Sequence, residues 1–363
     1  MDYILSTCGT SILTNKVEGD IKQALTVNAN AKNADDAQEG DRGKIEAHIR
    51  ERREALSAAA LDVRGLSAEL NGILAYYGGH IAKGRNDFHC LLATDTWQGE
   101  ATAGIVKDWL DGQGVRNVEV HRHPGLQTAD WPSFQSSLAD LVKWCEENVK
   151  PRRQPPRDRV VFNLSGGFKS ETGFLQMLGM FYADEIIYLF ERSAELMRIP
   201  RLPISMADEP AVRGDLRDFR RAAMGLSVTA PKSGVYWFED DGQYTLTAWG
   251  EFVFARHKEN FYAREVLDSP SDLVKFDPKF RESCRERFAD INHKIDLLAR
   301  YMEYEKRPNS RTLDIKKLKN GGNPRIPGAT HELDAWHDGA AKRIYCRLEG
   351  EVIVLLRLGE HLR

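Results

Sequence analysis

Short apolar runs alternate with stretches of helical periodicity over residues 1–203, and this alternation restricts the possible fold more than any other feature of the sequence. The runs are rich in Val, Ile, Leu and Phe, as buried strands are, and comprise Tyr3–Ser6, Phe88–Ala93, Val118–Val120, Val160–Leu164 and Glu185–Phe190. Apolar residues recur at three- and four-residue spacing, as in amphipathic helices, in Ile105–Leu110, Phe134–Val149 and Ser170–Tyr182. Strands that alternate with helices form parallel βαβ units. The pattern therefore predicts an α/β domain built on a doubly wound parallel sheet.

A glycine-rich turn follows the predicted strand at Val160. The chain passes through Gly166 and Gly167 into a helix whose first residues include Lys169. Glycines let a backbone approach a ligand closely, and free N–H groups at a helix start attract phosphate. The spacing of a Walker A loop is absent, because Phe168 precedes the lysine where that motif requires glycine. The turn predicts an anion site, and the alternative is a tight strand–helix turn with an exposed lysine.

Two further polar turns come at the ends of predicted strands. Ser6–Ser11 supplies hydroxyls and Gly9 after the first strand, and Ala93–Thr96 follows another. Ligands of doubly wound sheets bind at the carboxyl ends of the strands, where the strand order reverses. The first turn lacks the G-x-G-x-x-G pattern, so a dinucleotide site has no support. Together the three turns predict a pocket for nucleotide phosphates.

A second region, Ser205–Asp268, combines helices with a hairpin. A helical stretch at Ala211–Met224 is followed by two β-rich runs, Val235–Phe238 and Tyr244–Thr247, which flank an Asp-Asp-Gly turn. Such a pair of runs predicts a hairpin. Trp249–Arg256 has helical spacing. A helix–hairpin–helix unit is compatible with a winged helix, and equally with a spacer that dimerises.

The third region, Ser269–Arg363, is expected to be α+β. The pattern predicts one helix over Pro278–Tyr304 and three strands, at His331–Trp336, Lys342–Leu348 and Glu351–Leu358. A helix followed by antiparallel strands is an α+β arrangement. Residues 306–325 contain seven Lys or Arg and one acid. This basic stretch indicates a polyanionic partner, or else a solvated loop.

The composition excludes several classes of protein. The 363 residues carry 51 Lys+Arg and 54 Asp+Glu, with 42% hydrophobic residues, as expected of a globular chain of two or three domains. Apolar runs are too short to span a membrane, and the start lacks the features of a secretory signal. The five scattered cysteines do not suggest disulfides or a zinc site. We expect a cytoplasmic protein. At Cys8 a lowered thiol pKa is conceivable, although a small residue in a turn is the simpler interpretation.

Residues 1–204 resemble the CARF domain, the Rossmann-like sensor of type III CRISPR accessory proteins. The resemblance is carried by YILSTCGTSILTN together with NLSGGFKSETGFLQMLGMFYADEIIYLFE. It implies a homodimer whose two-fold pocket binds a cyclic oligoadenylate, most commonly cyclic tetra-adenylate, as an allosteric activator. A two-fold ligand suits an isologous interface. By motif, the resemblance implies ligand contacts by Gly9, Thr10, Ser11, Gly166, Gly167, Lys169 and Ser170.

Residues 269–363 resemble RelE-type mRNA interferases, which cleave mRNA in the ribosomal A site without a metal or other cofactor. The resemblance rests on KLKN at 317–320, the strand at His331, KRIY at 342–345, and the final strand with its Gly-Glu-His end. It implies that Arg343 contacts the scissile phosphate, that His361 acts as general acid and that Lys319, with Lys317, holds the RNA backbone. Some members carry two lysines on the central strand, where this chain has His331 and Glu332. Either of these could be the general base, or neither.

Taken together, these features predict a cyclic-oligoadenylate-activated, ribosome-dependent endoribonuclease of type III CRISPR defence. Residues 1–204 would be the CARF sensor, 205–268 a winged-helix-like connector and 269–363 a RelE-like nuclease that is masked until the ligand shifts the connector. The partners would be the cyclic oligoadenylate, the ribosome with mRNA, and a second copy of the chain. One alternative is a ligand-responsive transcription regulator that binds DNA through the winged helix. Another is a sensor that itself cleaves the ligand, with Lys169 and Thr10 within reach.

Overall fold

The chain forms two compact units, Met1–Ser205 and Met206–Arg363, which are described separately. The computed structural model describes residues 1–58, 62–127, 131–189, 195–203, 208–230, 232, 234–304, 313, 315–318, 326–336 and 342–360, with only the backbone of 131 and 132. The further division of the second unit into a connector and a nuclease stays a prediction.

The first unit is built on a six-stranded sheet in the order β3-β2-β1-β4-β5-β6. Its strands are β1 (Asp2–Cys8), β2 (Phe88–Ala93), β3 (Asn117–Arg122), β4 (Arg159–Asn163), β5 (Glu185–Leu189) and β6 (Leu196–Pro200). Neighbouring strands from β3 to β5 are parallel, whereas β6 is antiparallel to β5. The predicted α/β class and parallel sheet are confirmed.

The strand order reverses between β1 and β4. From β1 the chain continues outward through β2 and β3, and it then returns to place β4 and β5 on the other side of β1. Ser6 pairs with Asn163 in the register, so the carboxyl ends of β1 and β4 are neighbours. This is the position at which open α/β sheets bind ligands.

Seven α-helices accompany this sheet in the described residues: α1 (Ser11–Thr14), α2 (Gly19–Val27), α3 (Arg42–Ser57), α4 (Ala68–Tyr76), α5 (Trp97–Gly112), α6 (Trp131–Trp144) and α7 (Lys169–Tyr182). One core cluster joins α1, α3, α4 and α5 to the sheet through buried residues such as Ile12, Ile45, Leu70 and Ile105. Helix α4 was not predicted from the sequence. Ser67 caps this helix by accepting a hydrogen bond from the backbone N–H of Leu70 at 3.0 Å.

The second unit contains a hairpin and a five-stranded sheet. The hairpin is β7 (Trp237–Asp240) and β8 (Gln243–Leu246), and the sheet has the order β10-β11-β12-β13-β9. Its strands are β9 (Val274–Phe276), β10 (Lys316–Lys317), β11 (His331–Asp334), β12 (Lys342–Glu349) and β13 (Val352–Glu360). The described helices are α8 (Glu209–Gly214), α9 (Leu216–Ala223), α10 (Ala248–Arg264), α11 (Pro278–Ser283) and α12 (Phe288–Tyr304).

The predicted hairpin is confirmed. Its two turn residues, Asp241 and Gly242, have φ values of 47° and 74°, as the common two-residue hairpin turns with matching twist require. In the sheet, β11, β12 and β13 pair antiparallel, as predicted. Two strands that were not predicted extend it: β10 pairs antiparallel with β11, and β9 lies parallel next to β13.

The prediction of one helix over Pro278–Tyr304 is wrong. Helix α11 ends at Ser283, Cys284 is extended, and Arg287 has a φ of 53° before α12 begins. The break is stabilised by tertiary contacts, since the Ser283 hydroxyl accepts a hydrogen bond from the N–H of Leu358 at 2.8 Å. Buried Phe280 and Cys284 both belong to the core of this unit. The sequence pattern is continuous, but the helix is broken because its first part, α11, packs against β13.

Buried polar side chains join α9 and α10 to α12. The guanidinium of Arg220, on α9, is paired with the carboxylate of Asp296, on α12, and Arg220 is only 2% exposed. The hydroxyl of Tyr262, on α10, also donates to Asp296. The amide of Asn292 donates to the carbonyl of Tyr262 at 2.9 Å and accepts from the N–H of Leu267 at 2.9 Å. The predicted connector is thus packed on α12 within one compact unit.

No helix in the described part of either unit is long and apolar enough to cross a membrane.

Candidate functional site

A cavity of about 630 Å³ lies where β1 and β4 end, which is a typical volume for a small-molecule site. Among the described residues it is lined by Gly9, Thr10, Ser11, Thr14, Asn15, Arg64, Gly65, Ala68, Glu69, Asn71, Ser165, Gly166, Gly167, Phe168 and Leu189. The structure therefore brings the two glycine-containing motifs together. Their contact with a ligand stays a prediction.

The two motifs approach each other through their backbones. A Cβ added to Gly9 would stand 3.0 Å from the backbone nitrogen of Gly167. Gly167 itself has a φ of 87°, which side-chain-bearing residues rarely adopt. Both glycines are thus required by the local geometry, whether or not a ligand is bound.

The carboxylate of Glu69, on α4, connects the two motifs, and nothing in the sequence pattern indicated this role. Glu69 is fully buried. Its Oε1 accepts a hydrogen bond from the N–H of Gly9 at 2.9 Å, and its Oε2 accepts from the hydroxyls of Ser11 at 2.9 Å and Ser67 at 2.8 Å. A Cβ on Gly166 would lie only 2.3 Å from Oε1. Burial of this carboxylate is tolerable because hydrogen bonds replace its lost solvation.

A second buried carboxyl, that of Glu171 on α7, lies beneath the Gly166-Gly167 turn. Burial raises its pKa to about 8, the N–H of Phe168 opposes this rise, and the negative charge of Glu69 adds to it. The Phe168 N–H donates to Oε2 at 3.4 Å. Glu171 therefore carries its proton at neutral pH, and it contributes no negative charge to the neighbourhood of the cavity.

Glu171 predicts a specific pH dependence of stability. Because its pKa in the folded chain is raised to about 8 from 4.5, folding favours the protonated form. This contribution to the free energy of unfolding is present in full below the pKa of the unfolded chain, 4.5, and is lost as the pH rises to about 8. Glu171→Gln keeps the shape and cannot ionise, so we expect the melting temperature of the variant to exceed that of the parent at pH 8.5 by several degrees, with little difference at pH 5.

Thermal denaturation across this pH range tests the expectation. Glu54→Gln is a matched control, because Glu54 is exposed on α3. Parallel pH profiles for the parent and Glu171→Gln would show that Glu171 is ionised in the folded chain.

The remaining predicted ligand residues lie elsewhere. Lys169 and Ser170 are exposed at the start of α7 and are not among the described residues that line the cavity. The turn Ala93–Thr96 is also outside that lining and has a structural role. Thr96 caps α5 by accepting from the N–H of Gly99 at 3.0 Å, and Asp95 accepts from the guanidinium of Arg122 at 3.0 Å.

The suggestion that the pKa of the Cys8 thiol is lowered is wrong. Burial raises its pKa well above the ordinary value, and the negative charge of Glu69 acts in the same direction. All five cysteines are free and buried. Cys8 is therefore a small core residue at the end of β1.

The register of the second unit's sheet defines the surroundings of Arg343. Arg343 stands opposite Asp334 and forms an ion pair with it, and Tyr345 stands opposite Glu332 and Arg357. Paired residues in a sheet share a face, so these five side chains belong to one face. Tyr345 belongs to an apolar cluster separate from the one that contains α12. The Arg343 face is therefore the one opposite the helices.

His331 lies on the other face of the sheet. It pairs with Cys346, which packs with α12 in the larger core. Burial lowers the pKa of His331, and the positive charge of Lys317 lowers it further. The structure thus does not bring His331 to Arg343, whereas it places Glu332 on the Arg343 face. Lys319 and His361 lie outside the described residues.

In the described part of the chain, no group of three or more His, Cys, Asp or Glu side chains is arranged to hold a metal ion. The expectation of metal-independent chemistry stays a prediction.

Comparison with known proteins bears on the first unit. A comparison with curated proteins finds no match. Residues 64–202 match the family model described as CRISPR-associated protein (Cas_APE2256). The matched segment includes α4 with Glu69 and the Gly166-Gly167 turn, and it supports the assignment of this chain as a CRISPR-associated protein.

Proposed function

We propose that this chain is a cyclic-oligoadenylate-activated endoribonuclease that cleaves mRNA on the ribosome. The observation that carries the sensor half is the cavity between β1 and β4, which unites Gly9 with Gly166 and Gly167. It stands where a doubly wound sheet binds ligands, and much of it falls within the segment that matches a CRISPR-associated family. A cyclic oligoadenylate, sensed as CARF domains sense it, is the ligand that fits both findings.

The proposed activator is cyclic tetra-adenylate bound by a homodimer. A ring with two-fold symmetry offers the same groups to two copies of one cavity, and an isologous interface supplies two such copies. Each protomer would then provide one cavity of about 630 Å³ for half of the ring. Activation further requires that the ligand prefer one arrangement of the protein.

The proposed nuclease is a RelE-like domain that follows the winged-helix-like connector in the chain. Cleavage through the 2′-hydroxyl needs a base, a positively charged group that stabilises the anionic phosphorane, and an acid that protonates the leaving 5′-oxygen. Arg343 would supply the charge once its ion pair with Asp334 opens to RNA. Of the two candidate bases, Glu332 lies on the same face as Arg343 and His331 does not, so Glu332 is the proposed base. His361 remains the proposed acid.

Cleavage of mRNA on programmed ribosomes tests the proposal. With cyclic tetra-adenylate present, we expect cutting in the A site, slowed about tenfold to hundredfold in Arg343→Ala because a charged hydrogen bond is removed. Arg300→Ala is the control, since Arg300 is exposed on α12. Arg343→Lys retains the charge and should recover part of the rate.

Two outcomes would contradict the proposal. Cutting of free RNA without ribosomes would retain a nuclease but exclude the ribosome-dependent mechanism. Absence of cutting with the ligand demonstrably bound would favour the transcription regulator, which DNA mobility shifts would then test.

A further inference from the structure

The cavity of the first unit has an uneven distribution of charge. Among the described residues that line it, Arg64 is the one cation and Glu69 the one anion. Two donors expected to meet phosphate are already used by Glu69, namely the N–H of Gly9 and the hydroxyl of Ser11. The Ser11 oxygen also accepts from the N–H of Ala68 at 3.2 Å. An anionic ligand therefore cannot use these two donors without displacing Glu69, and near them it meets the negative charge of the buried Glu69 carboxylate.

Arg64 is one of several arginines of this unit that make no ion pair among the described residues, and it is the one that lines the cavity. Within the described residues, Arg122 and Arg153 are paired with carboxylates, whereas Arg64 is exposed and makes no ion pair there. The backbone around Arg64 is held by two hydrogen bonds. Its own N–H donates to Oδ1 of Asp62 at 3.1 Å, and the N–H of Ser67 donates to the carbonyl of Val63 at 2.9 Å. The guanidinium therefore extends from a fixed turn that leads directly into α4.

The rim beside Arg64 adds no large net charge. A Cβ on Gly65 would lie 3.0 Å from the ammonium of Lys16 and 3.7 Å from the carboxylate of Asp62. Lys16 and Asp62 carry opposite charges, so together they add little to the positive charge that Arg64 brings to the cavity lining. A guanidinium presents paired N–H donors that match the oxygens of a phosphate.

We propose that Arg64 binds a phosphodiester of the ligand and that Glu69, which is buried, only positions Gly9 and Ser11. The identity of the ligand rests on the proposed function. The phosphates of the ring are then held at the Arg64 side of the cavity, away from the Glu69 carboxylate. Gly9 and Ser11, in the turn after β1, then contribute to the shape of the cavity and not to its charge.

Binding of fluorescently labelled cyclic tetra-adenylate to the full chain, followed by anisotropy at several salt concentrations, tests this role. We expect Arg64→Ala to weaken binding about tenfold to hundredfold, as for the removal of a charged hydrogen bond, and Arg64→Lys to lie between. The slope of log K against log salt should fall by about 0.7 for each phosphate that the variant no longer neutralises. Arg50→Ala, at an exposed position of α3 outside the cavity lining, should bind like the parent.

The outcomes separate this inference from the function on which it rests. If the parent binds the ring and Arg64→Ala binds equally well with an unchanged salt slope, the role of Arg64 is overturned and the sensor remains. If the parent does not bind the ring at all, the proposed function fails and the ligand assigned to Arg64 fails with it. Weaker binding by Arg64→Ala, a reduced slope and an unchanged melting temperature would support the proposal.

Discussion

Asp296→Ala is expected to destabilise the second unit by about 3–5 kcal/mol, the usual cost of removing one partner of a buried ion pair. Arg220 is 2% exposed and has its guanidinium on Asp296. The variant leaves that charge buried and uncompensated. It also removes the acceptor of the Tyr262 hydroxyl, so a second buried polar group loses its partner.

Hydrogen exchange measured by mass spectrometry on the full chain tests this expectation. Peptides from α9, α10 and α12 should all exchange faster in Asp296→Ala, because the network joins the three helices. Asp290→Ala is the matched control on the same helix, since Asp290 pairs with Arg287 at the surface, where an ion pair contributes about 0–1 kcal/mol. Faster exchange in α12 alone would show that the predicted connector folds independently of it.

This network restricts how activation could work. Within the second unit, residues of the predicted connector such as Leu226 and Val266 share a core with α12 and with the strands that face it. The Arg343 face is on the other side of the sheet. The hypothesis that the connector masks the nuclease therefore gains no support from the described contacts, which lie on the helix side.

The sheet of the first unit could be predicted because its signal is local and repeated. Each buried parallel strand is an apolar run, and the helices between them keep their periodicity. The sequence also predicted that the turns containing Gly9 and Gly167 line one pocket, since parallel strands bring their carboxyl ends to one edge. The third turn of that prediction, Ala93–Thr96, is not among the described residues that line it. Strand β6 was missed because its exposed arginine and its terminal proline interrupt the apolar pattern of an edge strand.

The chemistry inside the site could not be predicted in the same way. Glu69 lies in a helix that the sequence pattern does not single out, and it acquires its role only by contacting Gly9, 60 positions away in the chain. A carboxylate in a helix usually faces water, so nothing in its own segment indicates burial. His331 and Glu332 are equally plausible in sequence, and only the pairing with Cys346 and Tyr345 decides which one shares the face of Arg343.

Gly166→Ala is expected to weaken the binding of cyclic tetra-adenylate about a hundredfold and to destabilise the first unit. A Cβ at this position would stand 2.3 Å from Oε1 and 2.7 Å from Cγ of Glu69. Glu69 cannot move aside without breaking its hydrogen bonds to Gly9, Ser11 and Ser67. Overpacking of this kind typically costs about 1–3 kcal/mol, and here it also displaces the backbone of both motifs.

The measurements are thermal denaturation and binding of cyclic tetra-adenylate by the full chain. Gly173→Ala is the matched control on α7, because a Cβ there meets no atom within 4 Å, and replacing a helical glycine by alanine should stabilise the chain by about 0.5–1 kcal/mol. The double variant Glu69→Ala/Gly166→Ala removes the clash together with the carboxylate. It should therefore be less destabilised than the sum of the two single variants, with a coupling of about 0.5–3 kcal/mol. Additive effects would mean that Gly166 and Glu69 do not constrain each other, and the two motifs would then be held together by their backbones alone.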